Sequence, residues 1–279
     1  MRNRSGPVAT IGGNGSFPVM RTFPALAIFA IATTLSGAAT AQVLGTYRIR
    51  AGVGPQVRPD YLGSDKHEVT IYPELSIARE NNPFGFSAPD DSFDIKLIGS
   101  GGFSAGPAAN LRSGRSNSDV GLPLGEVDRT FEFGIFAEQE LSESFRVRGE
   151  LLKGIGGHEG LVGSLGADTI WRDGDKYLFS IGPRLRIADA EFHRAYFGVT
   201  PLAAAATGLA PYNPNGGIYA VGITSGANYD LGKNWGLFGY GRYDRLIGDA
   251  RKSPVVRDLG SANQFSAGIG LSHTFSFKL

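Results

Sequence analysis

Along most of this chain, polar and apolar residues alternate with period two, the pattern of strands that show different environments on their two faces. The last stretch shows it best. Phe265, Ala267, Ile269, Leu271, Phe275 and Phe277 share one parity, and Ser266, Gly268, Gly270, Ser272, Thr274 and Ser276 share the other. His273 alone interrupts the apolar side. Upstream, Val69, Ile71, Leu75 and Ile77 alternate with Glu68, Thr70 and Glu74. Phe131, Phe133, Ile135 and Ala137 oppose Glu132 and Glu138, and Phe145, Val147 and Leu151 oppose Arg146, Arg148 and Glu150. Tyr47, Ile49, Ala51 and Val53 oppose Arg48 and Arg50, while Tyr177, Phe179, Ile181 and Leu185 oppose Arg184 and Arg186.

The pattern predicts about twelve segments of roughly ten residues each, or ten if residues 83–112 form a single strand pair. The gaps between segments sort by parity. Odd gaps include the long stretches 55–66, 113–128, 188–216 and 248–261, whereas the even gaps 80–82, 99–101, 142–144, 173–176 and 231–234 are all short. A soluble sandwich has no reason to sort loop length this way. A closed antiparallel barrel in a bacterial outer membrane has short periplasmic turns and long outer loops. The expected fold is therefore all-β: a closed antiparallel transmembrane β-barrel with lipid against its apolar parity.

The charged parity then faces a wet interior. Arg48, Arg50, Glu132, Glu138, Arg146, Arg148, Glu150, Arg184 and Arg186 are the candidate lumen charges. In a sandwich core each uncompensated charge would cost several kcal/mol. In a lumen they can pair across strands, as a structural network or as a solute path.

Composition refines this picture. Glycine is 41 of 279 residues, about twice ordinary usage, which suits many tight turns and close strand approaches. Formal charge is +1, so no nucleic-acid partner is expected. Cysteine is absent, which removes a disulfide framework. The N-terminus carries Arg2, Arg4 and Arg21 ahead of the apolar run PALAIFAIATTL, which ends in small residues at Ala39-Thr40-Ala41. These are the parts of a cleavable signal peptide. Residues 1–41 are read as extension and signal, with a second plausible start at Met20, and residues 42–279 as the barrel.

Candidate chemistry is thin. Gly102-Phe103-Ser104-Ala105-Gly106 matches the pattern of a hydrolase nucleophile elbow, but that motif needs a helix after it, and here Pro107 and small residues follow. An outer-membrane lipid hydrolase would draw on Ser104, Ser164 or Ser272 with His158 or His273. The four histidines, at 67, 158, 193 and 273, lack metal-ligand spacing. Asp90-Asp91 lacks the further oxygen ligands of a calcium loop. No cofactor, metal or catalytic residue is expected.

An ordered set of loop and strand-end motifs adds a family. Pro59-x-Tyr61-x-Gly63-Ser64 comes first, then His158-Glu159-Gly160, then Tyr196-Phe197-Gly198-Val199. Arg242-Tyr243, Asp249 and Ser253-Pro254 complete the order. From about Tyr47 to Phe277 the chain resembles the MipA/OmpV family of outer-membrane proteins. The resemblance implies a Gram-negative outer-membrane barrel without enzymatic activity, contacting membrane lipid and the barrel-assembly machinery. It also implies scaffolds that link murein-degrading to murein-synthesising enzymes, or alternatively porins that admit small solutes or antibiotics. One departure is at the end: family members commonly finish on an aromatic, whereas here Lys278 and Leu279 follow Phe277.

Overall fold

The structure, a computed structural model, describes residues 45–278. The expected signal peptide, the start at Met20 and the cleavage point after Ala41 lie outside the described residues, as does Leu279. Twelve strands form one sheet: β1 (Thr46–Pro59), β2 (His67–Arg79), β3 (Phe93–Asp94), β4 (Ile98–Ser100), β5 (Phe103–Arg112), β6 (Thr130–Ser142), β7 (Phe145–Gly156), β8 (Leu161–Asp173), β9 (Tyr177–Ala188), β10 (Gly217–Gly232), β11 (Trp235–Leu246) and β12 (Asn263–Lys278). All pairs are antiparallel, in the order β2-β1-β12-β11-β10-β9-β8-β7-β6-β5-β3, with β4 also on β5. The first and last strands pair, as the loop parity predicts, from Thr46 opposite Lys278 to Val57 opposite Ala267.

The outward parity is the apolar one. Phe265, Ile269, Leu271 and Phe275 are each more than half exposed, as are Val69, Ile71, Phe133 and Ile135. An apolar face of this extent needs hydrocarbon to cover it. The sheet curls around a polar interior. Arg48 on β1 reaches Asp175 at the β8–β9 turn at 2.8 Å, and the Tyr240 hydroxyl on β11 donates to Gln56 on β1 at 2.6 Å. Tyr240 therefore points inward, its ring 4.7 Å from that of Tyr72 and tilted against it. Trp171, Tyr177, Tyr229 and Trp235 do face outward at the short-turn end.

Two expectations are corrected. Of residues 83–112, expected to supply strands throughout, the first part with Phe84 and Phe86 is not a strand, and the edge course beyond it is split into β3 and β4. Amide bonds from Ile95 to Pro107 O (3.1 Å) and from Leu97 to Ala105 O (3.0 Å) carry that course across the break. The antiparallel ladder also does not close: among the described residues no rung joins β2 to β3 or β4. The reason is directional. β2 runs from the long-loop end to the short-turn end, and so do β3 and β4, because residues 80–92 make the return journey through the interior. Strands that run the same way cannot form an antiparallel rung.

Loop length sorts as expected. The hairpins after β4, β6, β8 and β10 are tight, and Gly174 supplies the left-handed residue (φ +52°) of one of them. The long connections at the opposite end carry five short helices: α1 (Asn117–Val120), α2 (Ala190–Phe197), α3 (Pro201–Thr207), α4 (Gly248–Lys252) and α5 (Pro254–Arg257). Side-chain oxygens of Ser116, Asp189, Thr200 and Ser253 cap α1, α2, α3 and α5. Helices this short hold only through packing. Here they share buried clusters built from Phe192, Phe197, Leu246 and Val256, and from Tyr61, Leu124, Val199 and Val255.

Candidate functional site

Two assemblies concentrate the polar and motif residues: a cap made by the long loops, and a charged interior.

The cap gathers most of the motif residues. Gly63 sits at φ +99° where a Cβ would lie 2.9 Å from Val256 Cγ2, so the first loop passes close over α5. Its amide donates to Gln264 Oε1 at 2.9 Å, and Gln264 Nε2 returns a bond to Ser64 O at 3.0 Å. Tyr61 and Ser64 are buried. A Cβ on Gly160 would meet the Phe192 amide nitrogen at 2.4 Å, which lets the β7–β8 turn lie on α2. The Tyr196 hydroxyl donates to Ser113 O at 2.9 Å, and Arg115 Nη1 donates to Tyr196 O at 2.6 Å. Gly198 ends α2 and Val199 bridges to Tyr212. The Ser253 hydroxyl donates to Phe197 O and accepts from the Val255 amide, and Pro254 opens α5. The Asp249 carboxylate accepts from the Asn215 amide and from Lys252; these bonds hold it below the usual carboxylate range.

Pro59 ends β1 below this cap. Arg242 and Tyr243 separate from the rest. Arg242 turns inward onto Asp244, and Tyr243 faces outward with its hydroxyl on Asn263 at 2.8 Å. His158 joins cap to wall. Its ring lies edge-on to Phe192 at 5.0 Å, and Nε2 is 2.9 Å from Glu132 Oε1. Glu132, fully buried, also takes Arg112 at 2.5 Å and Asn110 at 2.7 Å.

The nine predicted lumen charges all face the interior and pair there. Glu138 takes Arg146 at 3.3 Å and Arg148 at 3.1 Å, and Arg148 also takes Glu150 at 2.7 Å. Arg50 lies 3.7 Å from Glu74. Sequence reasoning missed the acids that complete the network. Asp168 joins Arg146 (2.7 Å) to Arg184 (2.7 Å), and Asp244 takes Arg186 at 3.3 Å.

The centre of the network is the segment 80–92. Asp90 takes Arg184 at 3.0 Å and Arg186 at 2.7 Å. Asp91 takes both prongs of Arg146, at 2.8 and 3.3 Å, with Arg148 at 3.7 Å. Phe86 lies under the Arg146 guanidinium at 4.4 Å and Phe84 under Arg50 at 4.1 Å. Below Phe84 a cavity of about 110 Å³ opens at the short-turn end, lined by Arg48, Arg50 and Asp175. The segment thus crosses the interior at the level of these arginines, while the 188–216 loop forms part of the cap.

The candidate hydrolase residues do not assemble. Ser272 is buried inward, while His273 faces outward against Trp235 at 4.9 Å. Neither Ser104, Ser164 nor Ser272 has a hydrogen bond to a histidine among the described residues.

An antiparallel sheet curled around paired charges, with an apolar outer band and loops sorted by length, defines the class of membrane-spanning β-barrel proteins. Residues 51–275 match the family described as MltA-interacting protein MipA, and the chain belongs to that family. No curated protein matches. Among solved structures the chain is similar to the NanC porin, with 9% identity over 81% of this chain and 98% of that one and a TM-score of 0.38. It is similar to the outer membrane channel DcaP of Acinetobacter baumannii, with 7% identity over 83% and 97% and a TM-score of 0.36. It also matches Salmonella typhi OmpF, with 12% identity and a TM-score of 0.33, covering 82% of this chain and spanning only 61% of that one.

Proposed function

We propose that this protein is a non-enzymatic barrel of the Gram-negative outer membrane that works as an envelope scaffold and keeps its lumen shut at rest. One observation carries the reading: Asp90 and Asp91 lie in the interior and are paired to four wall arginines. Buried pairs of this kind are costly to break by halves, at about 3–5 kcal/mol when one partner is removed. A lumen so filled does not suit steady solute traffic and leaves the protein's surfaces as its working parts. The family's description names MltA as the interacting partner, and a murein-degrading enzyme is the partner class that the resemblance implies. With the long loops outward, such an enzyme meets the short-turn face, where Glu143, Asp173, Lys176 and Lys233 are exposed.

The test combines two measurements on the refolded mature chain. Immobilised protein is expected to retain an MltA-type hydrolase, and charge reversal at Glu143 and Asp173 to weaken retention. Planar-bilayer recordings are expected to show no stable open state. Stable openings of the unmodified protein, or no retention of the hydrolase, would overturn the reading.

A further inference from the structure

We propose that Arg146, Arg148, Arg184 and Arg186 form an anion site for small carboxylate- or phosphate-bearing solutes. Asp90 and Asp91 occupy it from within, so that residues 80–92 act as a displaceable stopper.

The arginines are arranged as an anion site is. Arg146 grips Asp91 with two prongs, the geometry that guanidinium offers to carboxylate and phosphate alike. Arg184 and Arg186 converge on a single oxygen of Asp90, at 3.0 and 2.7 Å. The wall supplies cations in excess of its own acids. Six cations meet here: Arg146, Arg148, Arg184, Arg186, Arg242 and Lys96. They face five wall acids: Asp94, Glu138, Glu150, Asp168 and Asp244. The stopper's two carboxylates turn an excess of one positive charge into an excess of one negative. Rings of arginine or lysine are how pores select anions.

The stopper is attached so that it can leave. From Pro83 to Ser92 it makes no backbone-to-backbone bond with the wall among the described residues; side chains hold it. Its fit is local. A Cβ on Gly226 would lie 2.8 Å from Pro89 Cγ, so the wall is hollowed where the stopper turns. It also has a place to go. Both strands at the open seam, β2 and the β3–β4 course, run toward the short turns, and residues 80–92 run the opposite way. Inserted there, the segment would be antiparallel to both neighbours and would satisfy strand edges that hydrocarbon penalises. Phe84, Phe86 and Ala88 share one parity for such a face.

The test is planar-bilayer recording of the full mature chain, with heat-modifiable migration confirming folding. The D90N/D91N variant keeps the shape and removes both charges. It is expected to open and to prefer chloride over potassium by roughly threefold or more. Inorganic phosphate is expected to reduce that current, and adding R184Q and R186Q to abolish both effects. A second variant, Gly226→Leu, crowds Pro89 without touching any charge and is expected to open as well. If D90N/D91N does not fold, Gly226→Leu decides. Folded variants that all stay closed would overturn the displaceable stopper. Openings with no anion preference, or with a cation preference, would overturn the anion site. Hydrolase retention is read separately on the same variants, so failure of the scaffold is distinguishable from failure of the stopper.

Discussion

The Ser253 hydroxyl donates to the carbonyl of Phe197 at 2.6 Å, tying the start of α5 to the end of α2 inside the cap. The same oxygen accepts the Val255 amide at 3.1 Å. Both partners are buried, so Ser253→Ala leaves a carbonyl and an amide unsatisfied at once. The expected loss is about 2–4 kcal/mol of local cap stability, from two such groups at about 1–3 kcal/mol each less partial relaxation. Hydrogen exchange at residues 190–197 and 254–257 should rise, while strand amides keep their protection.

Glu132 ties the wall to the cap, taking Arg112, Asn110 and His158. Glu132→Gln keeps the volume and removes the buried charge that the partly exposed Arg112 pairs with. A loss of up to about 3 kcal/mol is expected, because the partly exposed Arg112 can take water. It would appear as a lower urea midpoint for the shift between folded and unfolded gel migration. An unchanged midpoint would mean that water satisfies Arg112.

Gly63 combines a left-handed backbone with a close neighbour, Val256 Cγ2. Gly63→Ala adds strain of about 1–3 kcal/mol on top of the contact. The outcome expected is faster proteolysis in residues 60–66 with the barrel intact. If Val256→Ala restores resistance only in part, the remainder measures the backbone strain.

How much of this was readable in the chain follows from which interactions are local. The outward face was legible because lipid asks one thing of every second residue, and Phe265, Ile269 and Phe275 answer it without reference to any neighbour. Pairing of β1 with β12 followed from loop parity. The stopper was not legible. Phe84 and Phe86 alternate as a strand does, and partners scattered along the chain, Arg50 on β1 and arginines on β7 and β9, draw the segment inward. The motif residues were found, but their meeting place was not, because Tyr61, Tyr196 and Ser253 come from three separate loops. Helices of four to eight residues leave too little periodicity to read.

Acid should loosen the cap through His193. Burial holds its imidazole below the ordinary value, opposed by carbonyls of Asn215 and Gly217 and by the charges of Asp249 and Asp189. A histidine with a lowered folded pKa stays neutral in the fold and takes a proton more readily when released. Its contribution is therefore present above the unfolded value, about 6.5, and is lost as pH falls toward the folded value. Exchange at α2, corrected for the pH dependence of the intrinsic amide rate, should rise as pH falls below about 6.5, and His193→Gln should flatten that dependence. A rise that persists in the variant would point instead to other groups.

The chain end offers a last test. Phe277 stacks on Tyr47 at 5.9 Å, and Lys278 makes the final rung opposite Thr46. Phe277 closes the outward aromatic face, whereas the Lys278 rung lies at the frayed tip of the ladder, where loss of one bond costs about 1 kcal/mol or less. Deleting Lys278 and Leu279 should therefore leave the yield of heat-modifiable protein in the outer membrane unchanged or higher. Phe277→Ala should lower it, since it removes both the terminal aromatic and the contact that fastens the last strand to the first. A yield that falls on deletion but survives Phe277→Ala would place the assembly determinant in the two final residues instead.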